Sequence, residues 1–91
     1  MNNRRTQYEI YWEILTYCKT PRLITQVIQR CNLNTKIGQE YLDFLVSKEY
    51  LTKTLEKDKT LFTTTPAAKG YMETFMRLYM ELFKNTPEFK L

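Results

Sequence analysis

Two stretches of this chain carry the same apolar spacing, and a third nearly repeats it before the period changes. Ile10, Tyr11, Ile14, Leu15 and Cys18 fall at i, i+1, i+4, i+5 and i+8, and Leu23, Ile24, Val27, Ile28 and Cys31 repeat those intervals. Such residues line one face of a helix, so each stretch predicts an amphipathic helix that must bury its stripe on a partner. The first helix runs from about Thr6 to Cys18. The second begins at Pro21 or at Thr25, with Thr20 and Thr25 as alternative caps. Ile37, Tyr41, Leu42, Leu45 and Val46 mark a third helix, capped by Asn34 after the break Asn32-Leu33-Asn34 and ending near Lys48.

At Leu51 the pattern turns to alternation. Leu51 to Leu55 is threonine-rich and predicts a half-buried strand; Glu56-Lys57-Asp58-Lys59 is a charged turn, and Thr60 to Thr64 returns as the second strand. Without Asn-Gly or Asp-Gly the turn type stays open. Thr65-Pro66 predicts a cap and first turn for the longest helix, which runs to about Lys84 or Asn85 and carries apolar residues on more than one face. The fold expected is mainly α with a small β-hairpin, in the order ααα-ββ-α: a winged helix-turn-helix over 1–65, a C-terminal helix over 66–85, and a frayed tail over 86–91.

Composition narrows the functions. Histidine is absent, Ser47 is the only serine, and Gly38 and Gly70 stand alone. No ordinary zinc site, default general base or phosphate-cradling loop can be assembled from these residues. The chain therefore reads as a non-enzyme, with no catalytic residues, metal or cofactor. No apolar run has the length of a membrane span, and no signal sequence is evident at the start, so an intracellular protein of cytoplasm or nucleoid is expected. Cys18 and Cys31 each close an apolar stripe and read as small buried thiols, although one disulfide is an alternative. A net charge of +4 and a pI near 9.1 favour an anionic partner.

Four stretches also carry a family resemblance: RTQYEIYWEILTYC from Arg5 to Cys18, TQVIQRCNL from Thr25 to Leu33, YLDFLVSKEYL from Tyr41 to Leu51, and FTTTPAAKG from Phe62 to Gly70. In this order and spacing the chain resembles archaeal winged-helix DNA-binding proteins that dimerise through a C-terminal helix. It departs from them in the proline and extra length of Thr64 to Gly70, and in a shorter last helix. The resemblance implies double-stranded DNA as partner, in a homodimeric transcriptional regulator or small chromatin-type protein. A winged-helix module that docks protein is the alternative.

On that reading the outward face of the third helix offers Asn34, Thr35, Lys36, Gln39, Glu40 and Asp43 to base edges. Gly38 would let backbone approach backbone. Arg4, Arg5, Lys19, Arg22, Thr25, Lys57 and Lys59 are the expected phosphate contacts. Ala68, Met72, Phe75, Met76, Tyr79, Leu82 and Phe83 form the expected dimer stripe. It is too short to choose between parallel and antiparallel pairing.

Overall fold

The computed structural model describes residues 5–84. Arg4, the 86–91 tail and the side chain of Phe83 lie outside the described residues. The chain runs α1 (Gln7–Tyr17), β1 (Arg22–Leu23), α2 (Ile24–Arg30), α3 (Thr35–Ser47), β2 (Leu51–Glu56) and β3 (Lys59–Thr64), then a 3-10 turn (Pro66–Ala68) and α4 (Lys69–Lys84).

Local chemistry sets most of the boundaries. The Thr6 hydroxyl accepts from the Glu9 amide at 3.0 Å and starts α1, and the Asn34 side chain accepts from the Ile37 amide at 2.8 Å and starts α3. The second helix departs from expectation. It begins at Ile24, neither Thr20 nor Thr25 caps it, and the Gln26 side chain instead accepts from the Leu23 amide at 2.9 Å. Both α2 and α3 end on residues in the left-handed region, Asn32 at φ 57° and Glu49 at φ 66°. After each, the next amide donates back into the helix: Leu33 to the Ile28 carbonyl at 2.9 Å and Tyr50 to the Leu45 carbonyl at 3.0 Å. This is the six-to-one bond that closes a helix C-terminus.

The sheet has three strands rather than two. β1 pairs antiparallel with β3, matching Arg22 to Phe62 and Leu23 to Leu61, so the order is β1-β3-β2. Leu23 is thus a strand residue and not part of the α2 stripe. A two-residue strand is too short to show a period. β2 and β3 pair from Leu51↔Thr64 out to Glu56↔Lys59, which shortens the turn to Lys57-Asp58. Both turn residues have positive φ, 50° and 66°, the signature of a type I′ hairpin made without glycine.

The apolar stripes of the three helices meet over the sheet. Ile14, Leu15, Val27, Leu42 and Leu45 are fully buried, with Cys18, Cys31, Leu51, Phe62 and Ala68 closing the cluster. Each large side chain so placed contributes about 1.5–3 kcal/mol. Gly38 is buried in the α2–α3 contact, where a Cβ would lie 2.7 Å from Cγ1 of Ile28. Its close approach is to a side chain of α2, not to another backbone.

Threonines tie the end of β3 to α1 and to the end of α3. Thr64 donates its amide to the Cys18 carbonyl at 2.9 Å and its hydroxyl to the Leu15 carbonyl at 2.6 Å. Thr65 donates its amide to Tyr50 and its hydroxyl to Glu49, at 2.9 and 2.6 Å, so it serves a helix-end carbonyl and caps nothing. The chain then passes through the 3-10 turn into α4, whose first half lies against α1. Phase-matched rings do the packing: Tyr50 with Tyr71, Tyr71 with Phe75, and Phe75 with Trp12, at centroid distances of 6.1, 6.3 and 5.8 Å. The Tyr71 hydroxyl donates to the Tyr8 carbonyl, and burial pushes it up to about 12.

Candidate nucleic-acid interface

α3 rests on Gly38, Leu42 and Leu45, which fixes the rotation of the helix. Thr35, Lys36, Gln39, Glu40 and Asp43 are consequently all exposed, as the spacing predicted. Asn34 is exposed too, but its side-chain oxygen is used as the cap. Gln39 donates to the Asp43 carboxylate at 2.9 Å, one helical turn on. That bond orients the amide and leaves its carbonyl oxygen to accept and its second N–H to donate. Phe44, on the flank of this face, is stacked on Tyr11 at 5.2 Å and belongs to the body.

The hairpin projects beyond the core. Lys53, Lys57 and Lys59 are exposed along it, and Leu55 is 74% exposed. Leu55 shares the face of buried Leu51, so alternation predicted it half-buried; the hairpin simply extends past the residues that would cover it. Thr25 is exposed in the first turn of α2.

Three expected phosphate ligands are placed differently. Arg5 forms an ion pair with Glu13 and donates to the Cys31 carbonyl. Arg22 donates its Nε–H to the Tyr17 carbonyl at 2.9 Å and lies over the Tyr17 ring at 4.0 Å. With Lys19 and Arg30 they line a cleft between α1 and the end of α2, to which no residue of α3 or the hairpin contributes. Arg30 has no place in the expected set, because it follows α2's buried stripe and gives no sign in sequence of its neighbours. The two cysteines are buried free thiols, pushed up by desolvation to about 12 for Cys18 and about 11 for Cys31.

The dimer stripe also divides. Ala68 is fully buried within the chain, and Met72 and Phe75 are half-buried against the body, so Ala68 has no surface to offer a partner. Met76, Leu78, Tyr79, Met80 and Leu82 are exposed. Beside them an apolar groove of about 460 Å³ opens between α4 and the start of α1, with Tyr8, Phe75 and Leu78 in its walls.

A family model described as winged helix-turn-helix matches residues 4–84. The chain belongs to the winged helix-turn-helix family. It is 29% identical over 85 residues to an uncharacterized protein of Methanocaldococcus jannaschii, covering 92% of this chain and 82% of that one. The crystal structure of Sso10a-2, a DNA-binding protein from Sulfolobus solfataricus, superposes with a TM-score of 0.76 at 29% identity and 92% coverage of both chains. A probable transcriptional regulator from Pseudomonas aeruginosa superposes at 0.74 with 14% identity, over 90% of this chain and 66% of that one, a likeness of fold alone. Among the described residues of this winged helix, no helix is long and apolar enough to cross a membrane, and no cluster of metal-ligating side chains occurs.

Proposed function

We propose that this winged helix binds double-stranded DNA as a homodimer inside the cell, as a transcriptional regulator or small chromatin-type protein. The observation that carries the reading is the exposed polar face of α3, held on a body similar over 92% of its length to a protein described as DNA-binding. In the major groove Gln39 presents its amide to adenine, and Lys36 reaches guanine or a phosphate. Asn34, Thr35, Glu40 and Asp43 frame that contact, with the acids disfavouring wrong base edges. Thr25 and the hairpin lysines Lys57 and Lys59 hold phosphates on either side. The second copy packs its α4 against the exposed outer half of α4 and the Tyr8 groove. A two-fold pair would then set two reading helices about 34–36 Å apart, one duplex turn.

The experiment separates reading from clamping. Gln39→Ala should reduce discrimination between a preferred site and random DNA by about 1–3 kcal/mol, with little effect on non-specific binding. Lys57→Ala and Lys59→Ala should weaken binding to every sequence, each lowering the logarithmic salt slope by about one. Absence of duplex binding at low salt would hand the fold to the docking-module reading, which the two acids beside Lys36 on the α3 face would suit.

A further inference from the structure

The cleft between α1 and the end of α2 has a volume of about 640 Å³ and a cationic lining. Four cations line it, Arg5, Lys19, Arg22 and Arg30, against a single carboxylate, Glu13. Arg5 neutralises that carboxylate, and among the described residues theirs is the only ion pair. Arg30 also acts on Glu13 through space, so one carboxylate is shared by two of the four cations and the cleft stays strongly positive. Arg22 is held in place by its bond to the Tyr17 carbonyl, and Arg22 and Arg30 both lie over the Tyr17 ring, at 4.0 and 5.7 Å. Arg22 is thus fixed in position before any anion arrives and Arg30 is drawn to the same ring, which lowers the ordering cost of binding.

A second observation points into the same space. Thr16 is one of the cleft residues, and its Oγ1 is buried with no hydrogen-bond partner among the described residues. Buried hydroxyls are nearly always bonded, and one left without a partner at the wall of a cationic cleft would gain its missing bond by turning to a ligand oxygen there. Trp12 supplies a flat apolar wall. A duplex is a poor fit, since none of the cleft residues comes from α3 or from the hairpin, and a concave floor is out of reach of a rigid backbone.

We propose that this cleft binds a small anion, a phosphate or carboxylate carried on a flat apolar group, through Lys19, Arg22, Arg30 and the Thr16 hydroxyl. The anion sits between the cations, and its apolar part lies against Trp12. Such a ligand would join the C-terminal end of α2 to α1, and α2 is the helix on which the reading helix α3 packs through Gly38 and Ile28.

Trp12 is the only tryptophan of the chain, so its fluorescence reports on this cleft. Phenyl phosphate titrated into the intact protein at constant ionic strength should give a saturable change that inorganic phosphate competes away. Lys19 and Arg30 are exposed, so Lys19→Ala with Arg30→Ala should leave the unfolding midpoint unchanged and weaken phenyl phosphate by about tenfold or more, the loss of charge-assisted hydrogen bonds. The near-isosteric Thr16→Val should weaken it severalfold. A linear response, equal binding of uncharged phenol, or unchanged affinity in the double variant would overturn the assignment. So would a short duplex that displaces phenyl phosphate and loses the same factor in the double variant, since the cleft would then be a backbone clamp.

Discussion

Along α1 the apolar residues Ile10, Tyr11, Ile14 and Leu15 are at most 9% exposed, whereas on the second half of α4 Leu78, Met80 and Leu82 stand 49–55% exposed. The two helices have similar side chains to hide. α1 has three partners: α3 through Tyr11 and Tyr41, β3 through Thr64, and α4 through Trp12 and Phe75. α4 has α1 through Trp12 and Phe75 and the end of α3 through Tyr50 and Tyr71, and both contacts fall in its first half. Apolar side chains are covered because something packs on them: the body buries its own stripes, whereas the outer α4 leaves large apolar side chains exposed, the surface that the proposed dimer would cover. The largest expected effect tests that difference. Leu78→Glu with Leu82→Glu should convert a dimer to a monomer by sedimentation, since each buried leucine contributes about 1.5–3 kcal/mol to the contact. The monomer should keep its helical circular dichroism. Phe75 is a poorer choice, because it packs on Trp12 in the same chain and its loss would damage the body. An unchanged mass for the double variant would remove α4 from the interface.

The converse substitution lies at the centre of the body. Leu42→Ala should cost about 2–5 kcal/mol in urea unfolding, the usual range for a leucine that leaves a cavity. It should act on the stability of each chain, leaving the dimer contact itself alone. A cost below about 1 kcal/mol would mean that α3 can collapse onto the gap, and that the body is looser than its burial implies.

What could be read in the sequence follows the same division. Ile14, Leu15, Val27, Leu42 and Leu45 were legible because a helical stripe needs only local spacing. The Asn34 cap was legible because its bond closes three residues away. β1 was not, since its existence depends on Phe62 and Leu61, some forty residues on. Thr65 looked like a cap because the carbonyl it serves, that of Glu49, is close only in three dimensions. Leu55 misled because alternation reports which face a residue is on, not whether the face has cover. The polar face of α3 could be listed from spacing, yet the cleft could not. Arg5, Lys19, Arg22 and Arg30 are scattered over four segments and meet only when β1 turns α2 back along α1.

The body itself is not uniformly optimised, which sharpens the comparison: an exposed patch differs from a local imperfection if repairing the imperfection changes stability and nothing else. Lys57 and Asp58 hold φ of 50° and 66°, a region that costs most L-residues about 1–2 kcal/mol and aspartate somewhat less, because its short side chain can bond locally. Asp58→Gly should therefore raise chain stability slightly, by less than about 1 kcal/mol, after the entropy lost with glycine is counted. Lys57 remains in place, so duplex affinity should hold or rise slightly with the removal of a negative charge. Destabilisation would show that the Asp58 side chain, not the backbone, decides the turn.

Glu13 gives the smallest effect. Desolvation in the cleft raises its carboxyl above the ordinary 4.5, and Glu9 adds to the rise, while Arg5 and Arg30 oppose it without cancelling it. A carboxyl raised by folding is held more tightly by its proton in the native state than in the unfolded chain. Its contribution to stability is thus fully present below 4.5 and is lost as pH climbs through the higher folded value. Glu13→Gln cannot titrate. The variant's unfolding midpoint, relative to the natural protein, should accordingly improve on going from below 4.5 to neutral pH, because only the natural chain acquires the partly desolvated charge. Arg5 keeps an oxygen acceptor in the glutamine, so the cleft should stay closed on that side. The reverse trend, with the variant losing ground as pH rises, would mean that the Arg5 ion pair outweighs desolvation. Arg5 and Glu13 would then count among the contacts that hold the body together, and the body would depend on a charge where the comparison with α4 has it depending on packing.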